Sequence, residues 1–197
     1  MVQPIYVYGS QVLREVAAPV DLNDGEHIKS LVQDLKDTLA QAEGCGLAAP
    51  QIGVSERVVI VDGDVMADVY PYLKGFKRTL INPVILEESE KKCEYNEGCL
   101  SVPGIYADVL RPVSMKVAYY NENLEKVEET FDKFGCRMVQ HELSHLDGNL
   151  FVDNVAPIRK KMLTKKLLNI AHGKVSAHYN TKLKYSDSLW ELFMRMI

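Results

Sequence analysis

A chain of 197 residues has room for one sizeable core, and 47% apolar with 25% charged residues is the balance of a soluble globular domain, which excludes disordered and membrane-spanning classes. With 23 basic against 27 acidic side chains the net charge is -4, so no DNA partner is expected, and the one basic run, "IRKKMLTKK" at 158 to 166, reads as a solvated helix face. No secretory leader or transit pattern is visible in "MVQPIYVYGSQVLREV", and Cys45, Cys93, Cys99 and Cys136 suit reduced thiols; a cytoplasmic protein is expected, in which at least one cysteine is open to a ligand or nucleophile role.

After "DLNDG", the apolar residues Ile28, Leu31, Val32, Leu35, Leu39 and Ala42 form a 3.6-residue stripe, predicting an amphipathic helix that stops at Gly44. "RVVIV" (57 to 61) and "TLINPVIL" (79 to 86) read as strands, separated by an irregular loop rich in Gly and Pro. "VSMKVAYY" and "LEKVEETF" around "NEN" alternate apolar with polar residues, predicting an antiparallel hairpin that ends near Phe131. From Asp132 to Leu146 the period changes to that of a helix, with Gly148 placed for a left-handed stop. A further helix is predicted over 157 to 172, with Pro157 near its start and Gly173 after its end, followed by the alternating "KVSAHYNTKLKY". One domain over 1 to 185 is expected, with 186 to 197 as a tail whose apolar positions suit a short helix packed on the body or on another subunit.

The stretch "QHELSHLDG" carries chemistry. Residues i and i+4 of a helix lie one above the other, so His141 and His145 can share one metal ion, and Glu142 projects beside it, placed to take a proton from water on the metal. The same five-residue pattern also occurs in helices that bind nothing, so a third ligand decides. A zinc peptidase takes that ligand from "HExxHxxGxxH" or a following helix, and no third His stands at that spacing here. Upstream, "EYNEGCLSVPG" offers Cys99, either a small buried hydrophobe or a thiolate that completes a site with one open position. A third stretch, "EGCGLAAPQIG", is either a helix cap and tight turn, or a place where small residues admit an extended substrate while Gln51 supplies an oxyanion donor.

In this order, "GCGLAAPQ", "EGCLS" and "QHELSHLDG" resemble the three signature motifs of the peptide deformylase family, and the likeness extends over most of residues 5 to 155. The resemblance implies an α+β fold in which antiparallel β-sheets surround a central metal-binding helix, with an N-terminal and a C-terminal helix. It implies a bacterial, cytoplasmic hydrolase that removes the N-formyl group from the initiator N-formylmethionine of nascent polypeptides and releases formate, by way of a metal-bound hydroxide. Carried over residue by residue, Cys99, His141 and His145 bind the metal, Glu142 is general base and then acid, and Gln51 with the backbone N–H of Leu100 holds the oxyanion. Gly46 and Cys45 line the substrate, Gly46 through strand-like backbone pairing, while Met138 and Arg137, one turn before His141, border the methionine pocket with Arg137 at its rim. The family's usual cation is Fe²⁺, with Zn²⁺, Ni²⁺ or Co²⁺ able to take the same ligands. Formyl-Met N-termini are the expected partners, with a transient ribosome contact through the basic helix. Ser144 stands where the family's motif has Asp; it points away from the metal face, and Arg111, the Asp's implied partner, is expected to find another acid such as Glu97.

Overall fold

A computed structural model describes residues 1 to 185 of the chain, and the expected tail helix at 186 to 197 lies outside the described residues. The order of elements is β1 (Ile5–Tyr6), α1 (Gly25–Ala42), β2 (Gly46–Ala48), β3 (Val58–Asp62), β4 (Lys77–Glu88), β5 (Lys92–Glu97), β6 (Ala107–Pro112), β7 (Ser114–Tyr120), β8 (Lys126–Asp132), α2 (Lys133–Leu146), α3 (Pro157–Ala171) and β9 (Thr181–Lys182), with short 3-10 turns between. Five strands form one antiparallel sheet in the order β2-β3-β4-β7-β8, β5 pairs with β6, and β9 runs parallel to β1. The fold is thus α+β with antiparallel sheets and three helices, as expected.

Packing follows the patterns in the sequence. The stripe of α1 buries Ile28, Leu31, Val32, Leu35 and Leu39 against Val58, Ile60 and Ile81 of the sheet. On the other side, α2 buries Val139, Leu143 and Leu146 against Val59, Leu80 and Val117. Burying one such aliphatic side chain is worth roughly 1.5–3 kcal/mol, so the two helix faces clamp the sheet. Among the described residues β2 is an edge strand, paired only with β3 through Gly46 and Val61, Leu47 and Ile60, and Ala48 and Val59.

Three local expectations change. The left-handed residue that stops α1 is Glu43 (φ 52°), not Gly44. Gly44 is needed for space instead, because a β-carbon there would lie 2.8 Å from Leu100 Cδ1. The β5–β6 pair was not apparent from the sequence, since β5 is exposed at Lys92, Cys93 and Glu94 and carries no apolar alternation. Of the alternating stretch after α3, only Thr181–Lys182 is a strand, because its partner is the two-residue β1. Among the described residues no helix is long and apolar enough to cross a membrane.

Candidate metal centre and active site

Two elements meet at one point. α2 presents His141 and His145 one turn apart, with ring centroids 5.2 Å from each other. The turn after β5 brings Cys99, whose Sγ lies 3.4 Å from His145 Nε2. One ligand atom from each of Cys99, His141 and His145 lies within 4.8 Å of the others. With metal–sulfur and metal–nitrogen bonds of about 2.3 and 2.1 Å, adjacent ligands of a tetrahedral ion stand roughly 3.5 Å apart, so the Sγ–Nε2 separation fits such an ion.

The surrounding polar atoms fit a cation as well. Glu97, 5% exposed, accepts from His141 Nδ1 at 2.9 Å, which leaves the opposite ring nitrogen for the cluster. Burial opposes a proton on His141, but the Cys99 and Glu97 side chains outweigh it and raise the ring to about 10, so this position attracts positive charge. Burial, with the neighbouring His141, holds His145 well below its ordinary value, as a neutral ligand requires. Among the described residues, the buried side-chain polar atoms without a hydrogen-bond partner are Glu142 Oε2 and His145 Nδ1, both in this site. An unpaired buried polar atom costs on the order of 1–3 kcal/mol, which a bound cation and its substrate can offset at the carboxylate.

Glu142 is 4% exposed, and burial pushes its carboxyl up to about 7. It lies against Gly46, where a β-carbon would stand 2.8 Å from the carboxylate carbon; only glycine leaves this space on the edge strand. Gln51, held by the Ala48 N–H donating to its Oε1 at 2.8 Å, points its amide nitrogen at Ser101 Oγ (3.1 Å) and Cys99 Sγ (3.6 Å). Leu100 follows Cys99 in a turn closed by the Val102 N–H donating to Cys99 O at 2.9 Å.

A cavity of about 540 Å³ opens on this cluster, a size suited to a side chain with adjoining backbone. Of the residues singled out from the sequence, Cys45, Gly46, Gln51, Cys99, Leu100, Arg137, Met138, His141 and Glu142 line it; His145 is buried beside Cys99, and Arg111 and Ser144 lie behind the lining. Met138 is both cavity wall and core. Burial pushes the Cys45 thiol up to about 12, which keeps that wall uncharged. Arg137 is not at an exposed rim: it is 5% exposed, and its guanidinium donates to Glu97 Oε1 (2.9 Å), Val109 O (3.0 Å) and Cys93 O (2.7 Å). Arg111 does take Glu97 as its acid, at 2.7 and 3.0 Å, and its third nitrogen donates to Ser144 Oγ at 3.0 Å.

Some lining residues were missed. Phe134 stacks on Tyr70 at 4.8 Å and meets Tyr95 edge-on at 5.1 Å. Its position four residues before Met138 on α2 was the available signal. Val65 and Met66, from the loop between β3 and β4, and residues 176 to 179 also line the cavity, and no local pattern announces them.

This chain is similar to known proteins over most of its length. A family model described as polypeptide deformylase matches residues 2–161. A peptide deformylase of Fusobacterium nucleatum is 41% identical over 171 residues, covering 86% of this chain and 93% of that protein. One of Cytophaga hutchinsonii is 38% identical over 182 residues, covering 92% and 97%. A crystal structure of the peptide deformylase of Plasmodium falciparum aligns with a TM-score of 0.78 at 32% identity, over 86% of this chain and 95% of that one. With a match over most of its length and relatives of this identity, the chain belongs to the polypeptide deformylase family, hydrolases that remove the N-formyl group from nascent polypeptides.

Proposed function

We propose that this chain deformylates formyl-methionyl N-termini at the Cys99, His141 and His145 centre, with Glu142 carrying the proton. The observation that supports this most is a buried carboxylate oxygen, Glu142 Oε2, without a partner beside three clustered metal-ligand atoms and a strand edge that no described residue pairs with. A divalent cation on these ligands supplies Lewis acidity and lowers the pKa of water at the site. A thiolate with two imidazoles suits Fe²⁺, the cation we take as physiological, and equally Zn²⁺, Ni²⁺ or Co²⁺.

The substrate backbone adds to the open edge of β2 at Gly46, as an extra strand. Its methionine side chain lies along Cys45, Phe134 and Met138, with the Arg137 stem behind. The Gln51 amide and the Leu100 N–H donate to the formyl oxygen as charge develops there. Glu142 takes the proton of the attacking water and passes it to the departing amine, so water and formamide become formate and a free N-terminus.

We assign the catalytic unit to residues 1 to 185, since β9 near its end pairs with β1 near its start. Reduced cysteines and a nascent-chain substrate support a bacterial cytoplasmic location. The exposed Arg159, Lys161, Lys165 and Lys166 of α3 support a transient contact with an anionic partner such as the ribosome. The reaction is tested by formate release from a formyl-Met tripeptide under anaerobic conditions, with metal analysis of the same sample. Glu142→Gln is expected to lower kcat by about 10²–10⁴ with metal retained; turnover equal to the parent chain removes Glu142 from the mechanism.

A further inference from the structure

Residues 176 to 179, between α3 and β9, line the active-site cavity. This segment is anchored at its far end, where the Ile5 N–H donates to Asn180 O at 2.8 Å and the Val7 N–H to Lys182 O at 3.0 Å. The next residue of the N-terminal segment, Tyr8, donates its N–H to Ser101 O at 2.7 Å, so this pairing is tied to the turn that carries Cys99 and Leu100. Just before β9, His178 Nε2 lies 3.1 Å from Ala42 O at the end of α1, and the Tyr179 hydroxyl donates to Leu100 O at 2.7 Å. The two rings meet edge-on with centroids 5.0 Å apart, so the two hydrogen bonds come from one packed pair of side chains. One bond holds the segment that leads through Gly44 into β2, and the other holds the segment that follows Cys99. Residues 178 and 179 are therefore a strap joining the strand edge to the oxyanion donor.

The peptide plane that contains the Leu100 N–H also contains Cys99 O, and the Val102 N–H holds that oxygen at 2.9 Å. The next plane contains Leu100 O, which Tyr179 holds. With both planes pinned, the two backbone dihedrals of Leu100 are set, and so is the direction of its N–H. The Leu100 side chain adds to this, lying where only a glycine at 44 leaves room.

We propose that Tyr179 is a positioning residue for deformylation, acting through Leu100 to aim its N–H at the formyl oxygen. This rests on the oxyanion role given to Leu100 above. The test compares the metal-loaded full chain with Tyr179→Phe, which keeps the ring and removes the hydroxyl. Expected for formyl-Met tripeptide is a fall in kcat of about tenfold with KM within about twofold, less than the loss of a whole oxyanion donor. The amide resonance of Leu100 in the Zn²⁺-loaded protein is expected to shift. A Tyr179→Phe chain with unchanged kcat, or an unmoved Leu100 amide signal, overturns the proposal. Should Tyr179→Phe fail to fold, His178→Ala loosens the same strap from the α1 side and is read by the same two measurements. Absence of formate release by the parent chain would count against the assigned function, while the amide signal still decides the strap.

Discussion

Glu97 has one carboxylate and three cationic or hydrogen-bonding neighbours: Arg111 at 2.7 Å, Arg137 at 2.9 Å and His141 at 2.9 Å. Burial alone would raise its pKa, but the bonds from His141 and Arg111 outweigh it and hold the carboxyl well below the usual range. Glu97 thus stays ionised and turns His141 so that its other nitrogen faces Cys99. Glu97→Gln is expected to weaken metal retention by roughly 10- to 100-fold, the usual scale for a group that orients a ligand, and competition with a chelator measures it. Retention equal to the parent chain would mean that α2 alone orients the ring. In the sequence Glu97 was visible only as an alternative acid for Arg111. Its bond to His141 joins residues 44 apart in the chain, and no local pattern carries that pairing.

The helix α2 shows what a single element decides. Its 3.6-residue period, its HExxH spacing and its stop at Gly148 were legible, and it spans Lys133–Leu146 as those features predict. Gly148 has φ 72°, and a β-carbon there would come within 2.6 Å of Arg14 O. Gly148→Ala therefore combines a left-handed backbone with a clash against main chain that cannot swing aside. A loss of at least about 1–3 kcal/mol is expected, read as a lower denaturant midpoint with unchanged slope. An unchanged midpoint would show that the short 3-10 turn Gln11–Arg14, which carries Arg14 O, yields at no cost. What α2 alone could not announce is the opposite wall. Val65 and Met66 reach the cavity from a loop whose Gly and Pro content signalled irregular chain and whose length suits a functional or a variable excursion, without naming these two residues.

At the scale of the whole sheet, one charged cluster spans three strands. Arg78 on β4 donates to Glu129 on β8 at 2.8 Å, across Tyr119 of the intervening β7, whose hydroxyl donates to Glu129 at 2.6 Å. Burial pushes the Glu129 carboxyl up, and the bonds from Arg78 and Tyr119 bring it below its ordinary 4.5. A depressed carboxylate contributes stability that is present above its unfolded value and is lost as pH falls through the folded one. Glu129→Gln is therefore expected to flatten the fall of Tm below about pH 4.5, while near pH 7 the variant melts lower than the parent chain. Parallel Tm curves for the two proteins from pH 7 to 3 would remove this cluster from the acid response.

The sequence by itself determined the two amphipathic helices and the main hairpin, because each rests on spacing within one element, and it brought Cys99, His141, His145 and Glu142 forward as candidates through short motifs that resemble those of a family. Only the tertiary structure decided which carboxylate orients His141, where Arg137 spends its donors, and that the Tyr179 hydroxyl meets Leu100 O. Those are meetings between chain segments far apart, selected by packing against a shared sheet, and the periodicity of one segment carries no record of what lies across from it.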